Sequence, residues 1–103
     1  MIHPQFEPYL TEVLRILKEH NVKDAYLFGS VLTDRFNDES DVDLIVNYEP
    51  FTKDPLILGD NIWSLRFALE DFLHRDVDLI NESNLKNPYF IREIEKTKFK
   101  IYG

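Results

Sequence analysis

The first regular pattern of apolar positions has the spacing of an amphipathic helix. Apolar side chains recur every three or four residues at Phe6, Leu10, Val13, Leu14 and Leu17. This spacing places them on one face of a helix and predicts a helix over residues 5–20. Asn21 follows. Asparagine tolerates the left-handed conformation that often ends a helix, so we expect the helix to stop there.

Two segments after this helix have the composition of β-strands. The first, "KDAYLFG", is a short apolar run ending at Gly29 and predicts a strand over residues 23–29. The second, "DVDLIVNY", alternates carboxylate and apolar residues before a β-branched run and predicts a strand over residues 41–48. Residues 30–40 between them are polar turn material, in which a short opening helix is one possibility.

The second half of the chain repeats the alternation of helix and strand. Residues 49–55 predict a loop. Apolar positions then recur at helical spacing and predict a helix over residues 56–74: Ile62, Leu65, Leu69, Phe72 and Leu73. "DVDLIN" predicts a third strand over residues 76–81, residues 88–96 predict a third helix, and residues 99–103 predict a short strand or tail.

The order of these elements indicates the fold class. Helix, strand, strand, helix, strand, helix predicts an α/β (α+β) fold with one small mixed sheet and helices packed on it. With 103 residues, 44% of them hydrophobic, the chain can bury a core, and disorder is disfavoured. We therefore expect a single domain spanning residues 1–103.

Composition narrows the class of protein. The chain has no cysteine, which excludes a disulfide framework or a zinc–thiolate site. The first ten residues lack the basic start and apolar run of a secretion signal, and no apolar stretch approaches the roughly 20 residues that a membrane span needs. We expect a cytoplasmic protein without a membrane anchor.

Charge is unevenly distributed along the chain. The formal net charge is −7, although residues 86–103 hold five basic and two acidic residues. A negative body should repel a phosphate backbone, so general binding to DNA or RNA is disfavoured. A nucleotide can still bind if divalent cations screen its phosphates.

The five residues "DVDLI" occur twice, at positions 41–45 and 76–80. The similarity extends no further on either side, so an internal repeat is disfavoured and a shared local task is favoured. On a strand, Asp41 and Asp43 share one face while Val42 and Leu44 point to the other. Neighbouring carboxylates repel unless a cation separates them, and Mg²⁺ prefers such ligands together with substrate phosphates. A single Asp-x-Asp, by contrast, is more often a solvated strand edge.

Gly29 and Ser30 end the first predicted strand. Backbone N–H groups at such a turn can hold a phosphate, glycine permits close approach, and the serine hydroxyl adds a donor. Alone, "FGS" is usually a plain turn. Followed ten residues later by Asp-x-Asp, it predicts a phosphate site beside a metal site.

The segment "LFGSVLTDRFNDESDVDLIV" resembles the signature of the polymerase β-like nucleotidyltransferase superfamily: strand, Gly-Ser, ten residues, Asp-x-Asp. The whole chain resembles the minimal nucleotidyltransferases, small proteins usually encoded beside a HEPN partner. The resemblance implies the polymerase β-like fold, ATP as substrate and two Mg²⁺ ions.

The resemblance also implies roles for individual residues. Gly29 and Ser30 would contact the nucleotide phosphates, and Asp41 and Asp43 would bind Mg²⁺. The third catalytic carboxylate of the family lies on a later strand, and Asp78 matches it. Both "DVDLI" copies would then be strands of one sheet.

The chain departs from the family pattern directly after Gly-Ser. Many relatives continue with Arg-Ala-Arg-Gly, whereas this chain continues with Val31 to Asp34, which carries no basic residue. Arg35 is the nearest cation and the candidate for a phosphate contact.

These implications favour transfer of an AMP group to an acceptor hydroxyl, most specifically a tyrosine of a partner HEPN toxin. Two alternatives stay open: a non-catalytic antitoxin or regulator that acts by occlusion, and a subunit that adenylylates a small molecule such as an aminoglycoside. We also expect a protein partner or, failing that, a homo-oligomer, because the aromatic content exceeds what the predicted elements bury. The aromatic residues concerned are Tyr9, Phe36, Tyr48, Phe51, Trp63, Tyr89, Phe90 and Tyr102.

Overall fold

The computed structural model describes residues 2–49 and 53–103. The described elements alternate as predicted. The α-helices are α1 (Leu10–Glu19), α2 (Pro55–Leu73) and α3 (Pro88–Thr97). The strands are β1 (Val22–Phe28), β2 (Val42–Tyr48), β3 (Val77–Asn81) and β4 (Phe99–Tyr102). Short 3₁₀ helices cover Glu7–Tyr9, Gly29–Leu32 and Glu82–Asn84.

Most predicted bounds are confirmed to within a residue, but the start of the first helix is wrong. The predicted first helix began at residue 5, but α1 begins only at Leu10, after the 3₁₀ turn that contains Pro8. Proline has no N–H to donate within a helix, which favours such a turn before the helix. Asn21 does end this region, with a left-handed φ of 63°. Of the predicted loop over residues 49–55, positions 50–52 lie outside the described residues.

Gly29, predicted as the last residue of the first strand, lies one residue beyond β1, which ends at Phe28. It instead opens the 3₁₀ helix Gly29–Leu32 with a φ of +80°. This φ lies outside the range of β-strands and is readily adopted only by glycine. The chain therefore turns sharply at the end of β1.

The strands form one four-stranded sheet in the order β3-β2-β1-β4. β2 and β3 are parallel, and the other two pairs are antiparallel, so the sheet is mixed as predicted. Parallel neighbours need a long crossover, and α2 supplies it between β2 and β3. This connection brings the two "DVDLI" segments side by side.

The main core lies between one face of the sheet and helices α1 and α2. Its fully buried members include Val13 and Leu17 of α1, Leu65 of α2, and Leu27 and Leu44 of the sheet. The opposite face is only partly covered. There the rings of Phe28 in β1 and Phe90 in α3 meet edge to face at 6.3 Å.

The loop between Leu32 and β2 is fastened to the body by Arg75. The Arg75 guanidinium donates hydrogen bonds to the backbone carbonyls of Asn37 (2.9 Å) and Ser40 (2.7 Å). It also lies over the ring of Phe36, 4.6 Å from the centroid, and Phe36 is buried. Arg75 stands just before β3 in sequence, so it ties the approach of β2 to the approach of β3.

Several of the aromatic side chains expected to remain outside the core are exposed, but others of the named residues are not. Tyr9, Trp63, Tyr89 and Phe90 are exposed. Phe36 was wrongly counted, because it is buried under Arg75 and against Phe6. Tyr48 and Tyr102 are partly buried, and Phe51 lies outside the described residues. Across residues 2–49 and 53–103, no helix is long and apolar enough to cross a membrane.

We predict that Arg75→Ala lowers the free energy of unfolding by about 2 kcal/mol, because two hydrogen bonds from a charged donor are lost. Arg75→Lys should recover less than half of this loss, since an ammonium group cannot form the planar fork and the ring contact together. Urea unfolding measures both values. The matched control is Arg35→Ala, an exposed arginine of the same loop, which should change stability by less than about 0.5 kcal/mol. A wild-type value for Arg75→Ala would contradict this role.

Candidate active site

The two "DVDLI" segments lie in register on adjacent parallel strands. Val42 pairs with Val77, Asp43 with Asp78, Leu44 with Leu79, and Ile45 with Ile80. The prediction that they are two strands of one sheet is therefore confirmed. The pairing places Asp43 and Asp78 side by side on neighbouring backbones.

The alternation along β2 determines which way these carboxylates point. Val42 and Leu44 are fully buried in the core under α1 and α2, so Asp43 lies on the opposite face of the sheet. Asp43 is half-buried and Asp78 is exposed. Asp41 precedes the first residue of β2 and is also exposed. The sequence expected it to be part of the strand.

Burial and two like charges act on Asp43. Desolvation, followed by repulsion from Asp78 and from Asp41, raises the pKa of Asp43 from 3.8 to about 6. The carboxylate charge is thus unfavourable in the protein as it stands. Asp43 is thus the predicted aspartate on which the charges of the other two act.

Gly29 lies directly against this centre. β1 pairs with β2 so that Phe28 is opposite Asp43, and Gly29 is the next residue along the chain. A Cβ added to Gly29 would stand 2.5 Å from the Asp43 carboxylate oxygen Oδ2. Any larger residue would both strain the backbone and displace the carboxylate.

A broad concavity of about 710 Å³ opens beside Gly29, within the size range of ligand pockets. Its lining is formed by Gly29, Ser30, Leu32, Thr33, Arg35 and Thr97. The three residues predicted to contact phosphates thus share one surface. Thr97, at the end of α3, was not predicted, because nothing in the sequence brings that helix near Gly29.

Val31, the residue directly after Gly-Ser, is unsuited to carry a positive charge in this chain. Its side chain is fully buried, and a charge there would be placed in the core. The backbone also turns tightly at this point, since the Ser30 carbonyl accepts from both the N–H and the hydroxyl of Thr33, at 2.8 and 2.9 Å. Arg35, three residues beyond Leu32, is exposed on the same concavity.

The chemistry of the donor set fits Mg²⁺. The aspartates offer hard oxygen ligands, and the raised pKa of Asp43 marks negative charge that a cation would neutralise. The side chains are not gathered as a ready coordination shell: within the described ranges, no three acidic or histidine side chains are grouped closely enough to hold an ion. Repulsion among carboxylates favours such separation.

A second, smaller concavity lies on the other side of Asp78. It has a volume of about 240 Å³ and is lined by Ile62, Trp63, Arg66, Asp78 and Leu79. Trp63 was named among the aromatic residues expected to contact a partner, and it is 56% exposed, as a residue outside the core would be. Arg66 was not singled out. Its spacing was the sequence signal that could have found it: Arg66 lies three residues after Trp63, so the two side chains are neighbours on the surface of α2.

We predict that Asp43→Asn stabilises the metal-free protein at pH 7 by roughly 1 kcal/mol, a value that allows for solvent screening of a half-exposed group. A folded-state pKa raised from 3.8 to about 6 means that ionising Asp43 costs stability. This cost is absent below about pH 4, grows as pH rises, and is complete above about pH 6. The difference in Tm between variant and wild type should follow the same course in thermal melts with EDTA. A difference that is constant from pH 4 to pH 8 would contradict the prediction.

We predict that Gly29→Ala destabilises the protein by about 1–2 kcal/mol through backbone strain and the contact with Asp43. In the Asp43→Ala background, the same substitution should cost less, because only the backbone strain remains. Denaturant unfolding of the four proteins gives the coupling directly. The control is Gly59→Ala on α2, where an added Cβ meets nothing within 4 Å. It should be neutral or stabilising. Equal costs in both backgrounds would argue against the contact.

Comparison with known proteins agrees with this geometry. The family described as "Nucleotidyltransferase domain" matches residues 10–101. A curated protein of Methanocaldococcus jannaschii, "Putative protein adenylyltransferase MJ0126", is 32% identical over 96 residues, covering 84% of this chain and 92% of the relative.

Solved structures with the same fold include "Structure of putative minimal nucleotidyltransferase". Its TM-score is 0.72 at 25% identity, over 96% of this chain and 95% of the other. A toxin–antitoxin structure with AMP-PNP gives 0.71 at 22% identity, over 91% and 73% of the two chains. A tri-AMPylated Shewanella oneidensis HEPN toxin in complex with MNT antitoxin gives 0.65 at 20% identity, over 94% and 71%.

The two toxin–antitoxin structures are only 22% and 20% identical to this chain, so their similarity shows a common fold. The family follows from the match over residues 10–101 and from the curated relative. The chain therefore belongs to the nucleotidyltransferase domain family.

Proposed function

We propose that this chain transfers AMP from ATP to a hydroxyl of a protein partner, specifically a tyrosine of a HEPN protein. The observation that carries the proposal is that Asp43, which pairs in register with Asp78, lies directly beside Gly29. Carboxylates for a metal and a backbone turn for phosphates then lie within one site. The curated relative is named as a protein adenylyltransferase, and several fold neighbours are antitoxin complexes with HEPN toxins, which supports a protein acceptor.

Each residue has a role in this proposal. Gly29 and Ser30 bind and orient the triphosphate, and Arg35 offers a positive charge from the same concavity. Asp41, Asp43 and Asp78 would hold two Mg²⁺ ions, which neutralise charge on the phosphates and on the reacting oxygens. Asp78, the most exposed of the sheet carboxylates, accepts the proton of the acceptor hydroxyl.

A second candidate function is inhibition of the partner by occlusion without catalysis. The carboxylates are not grouped as a ready metal shell in the described part of the chain, and Val31 replaces a basic residue of many relatives. The exposed aromatic residues suit protein binding in either case. These two functions differ in whether the partner is covalently modified.

We predict that incubation with ATP, Mg²⁺ and a HEPN partner protein increases the intact mass of the HEPN protein by whole AMP groups. Mass spectrometry of both proteins measures this. EDTA should abolish the change, and Asp43→Asn or Asp78→Asn should slow it by at least roughly 100-fold. Asp76→Asn is the matched control, since it makes the same chemical change two residues before Asp78 and should retain transfer.

Neutralisation of the partner without any change in mass would overturn the transfer and support occlusion. Transfer that survives in both the Asp43 and the Asp78 variants would overturn the assignment of the site.

A further inference from the structure

We propose that the small concavity between α2 and β3 is the acceptor subsite, in which Trp63 and Arg66 hold the phenol ring of a tyrosine beside Asp78. This inference rests on the proposed transfer and adds the location and the recognition chemistry of the acceptor. Neither Trp63 nor Arg66 has a role in the nucleotide or metal site described above.

The position of the concavity is the first support. The order of strands places β1 and its Gly29 on one side of Asp43, and β3 with Asp78 on the other. Phosphoryl transfer requires the attacking and leaving oxygens roughly in line through the reacting phosphorus. If the triphosphate lies beside Gly29, the acceptor must approach from the side of Asp78. The concavity that contains Asp78 lies there.

The two concavities differ in volume. The one beside Gly29 measures about 710 Å³, whereas the one beside Asp78 measures about 240 Å³, below the range of pockets that enclose whole small molecules. The smaller one therefore suits a single side chain better than a nucleotide or an aminoglycoside.

The lining is complementary to a phenol. Ile62, Trp63 and Leu79 offer apolar and aromatic contacts for a ring, and Asp78 can accept a hydrogen bond from its hydroxyl. Arg66 contributes a positive charge that favours the phenolate once the proton has left. An aliphatic hydroxyl of serine or threonine would leave the aromatic wall without a contact.

Arg66 and β3 are fastened to each other through Glu70. The Glu70 carboxylate oxygen Oε2 accepts a hydrogen bond from the backbone N–H of Val77 at 3.0 Å and from Arg66 Nε at 3.4 Å. Val77 is the residue before Asp78. The guanidinium of Arg66 also lies over the Trp63 ring, 5.9 Å from its centroid. The walls of the concavity are thereby positioned relative to Asp78.

An apolar surface continues from the concavity along α2 and indicates that the tyrosine belongs to a protein. Trp63 and Phe67 stack at 5.7 Å, and Leu56 lies seven residues before Trp63 on the same helical face. These side chains are 56%, 61% and 82% exposed, respectively. A free small molecule would leave this surface in water, whereas a partner would cover it.

The proposed step transfers AMP from ATP to the tyrosine oxygen. The tyrosine oxygen forms a bond to the α-phosphorus of ATP, and the bond from that phosphorus to the bridging oxygen of the β-phosphate breaks. Its electron pair leaves with pyrophosphate. The phenolic proton passes to the Asp78 carboxylate, so the products are tyrosyl-AMP on the acceptor and pyrophosphate.

Trp63 is the only tryptophan in the sequence, so its fluorescence reports on this concavity. The experiment titrates the full chain with N-acetyl-tyrosinamide and, separately, with N-acetyl-phenylalaninamide, exciting at wavelengths where tyrosine does not absorb. We expect a saturable change in emission with the tyrosine amide and binding weaker by roughly tenfold for the phenylalanine amide. Asp78→Asn and Arg66→Ala should each weaken binding of the tyrosine amide.

The matched control is Arg92→Ala. Arg92 lies over the exposed ring of Tyr89 at the same 5.9 Å, but lines neither concavity. It should leave the titration unchanged. Calorimetry with ATP and Mg²⁺ tests the donor side, where Trp63→Ala should keep wild-type affinity within about twofold.

Three outcomes would overturn the subsite: no saturable change, equal affinity for the two amides, or loss of ATP affinity in Trp63→Ala. The last would place the nucleotide in this concavity. A wild-type protein that binds no ATP but selects the tyrosine amide would instead contradict the proposed function and leave the tyrosine subsite in place.

Discussion

At the candidate site, the fold has to hold carboxylates close together although they repel one another. Asp43 and Asp78 are neighbours across parallel strands, and Asp41 adds to the same charge. What opposes this repulsion lies on the other face of the sheet, where Val42, Leu44 and Val77 are buried under α1 and α2. Because alternate residues of a strand point to opposite faces, the segment that supplies the carboxylates also supplies the apolar side chains that fix them.

The sequence was sufficient for most of the fold because its periodicities are local. Alternation in "DVDLIVNY" and helical spacing in residues 62–73 each specify an element without reference to the rest of the chain. The placement of Asp43 and Asp78 together could also be predicted, since a helix between two strands favours a parallel crossover. Their register was not predicted, and it is seen only in the folded sheet, where Asp43 pairs with Asp78.

What could not be predicted depends on contacts between distant parts of the chain. Phe36 was counted among the surplus aromatic residues, and only the folded chain stacks Arg75 on it. Arg66 becomes relevant to Asp78 because Glu70 connects α2 with the start of β3. The turn at Gly29 and Ser30 was predicted as a phosphate site, but the contact of Gly29 with Asp43 could not be, because it depends on the pairing of β1 with β2.

The Asp-Val-Asp repeat has a consequence for how β3 finds its place. A slip of one residue would turn Asp78 into the core and is prevented by burial alone. A slip of two residues would bring Asp76 beside Asp43, but it would also set Asp78 beside the fully buried Ile45 and Arg75 beside the fully buried Val42, so burial opposes this slip as well. Contacts at the entrance of the strand oppose the same slip: Arg75 donates to the carbonyls of Asn37 and Ser40, and Glu70 accepts from the N–H of Val77. Buried neighbours and polar contacts together therefore determine that Asp78, and not Asp76, reaches the site.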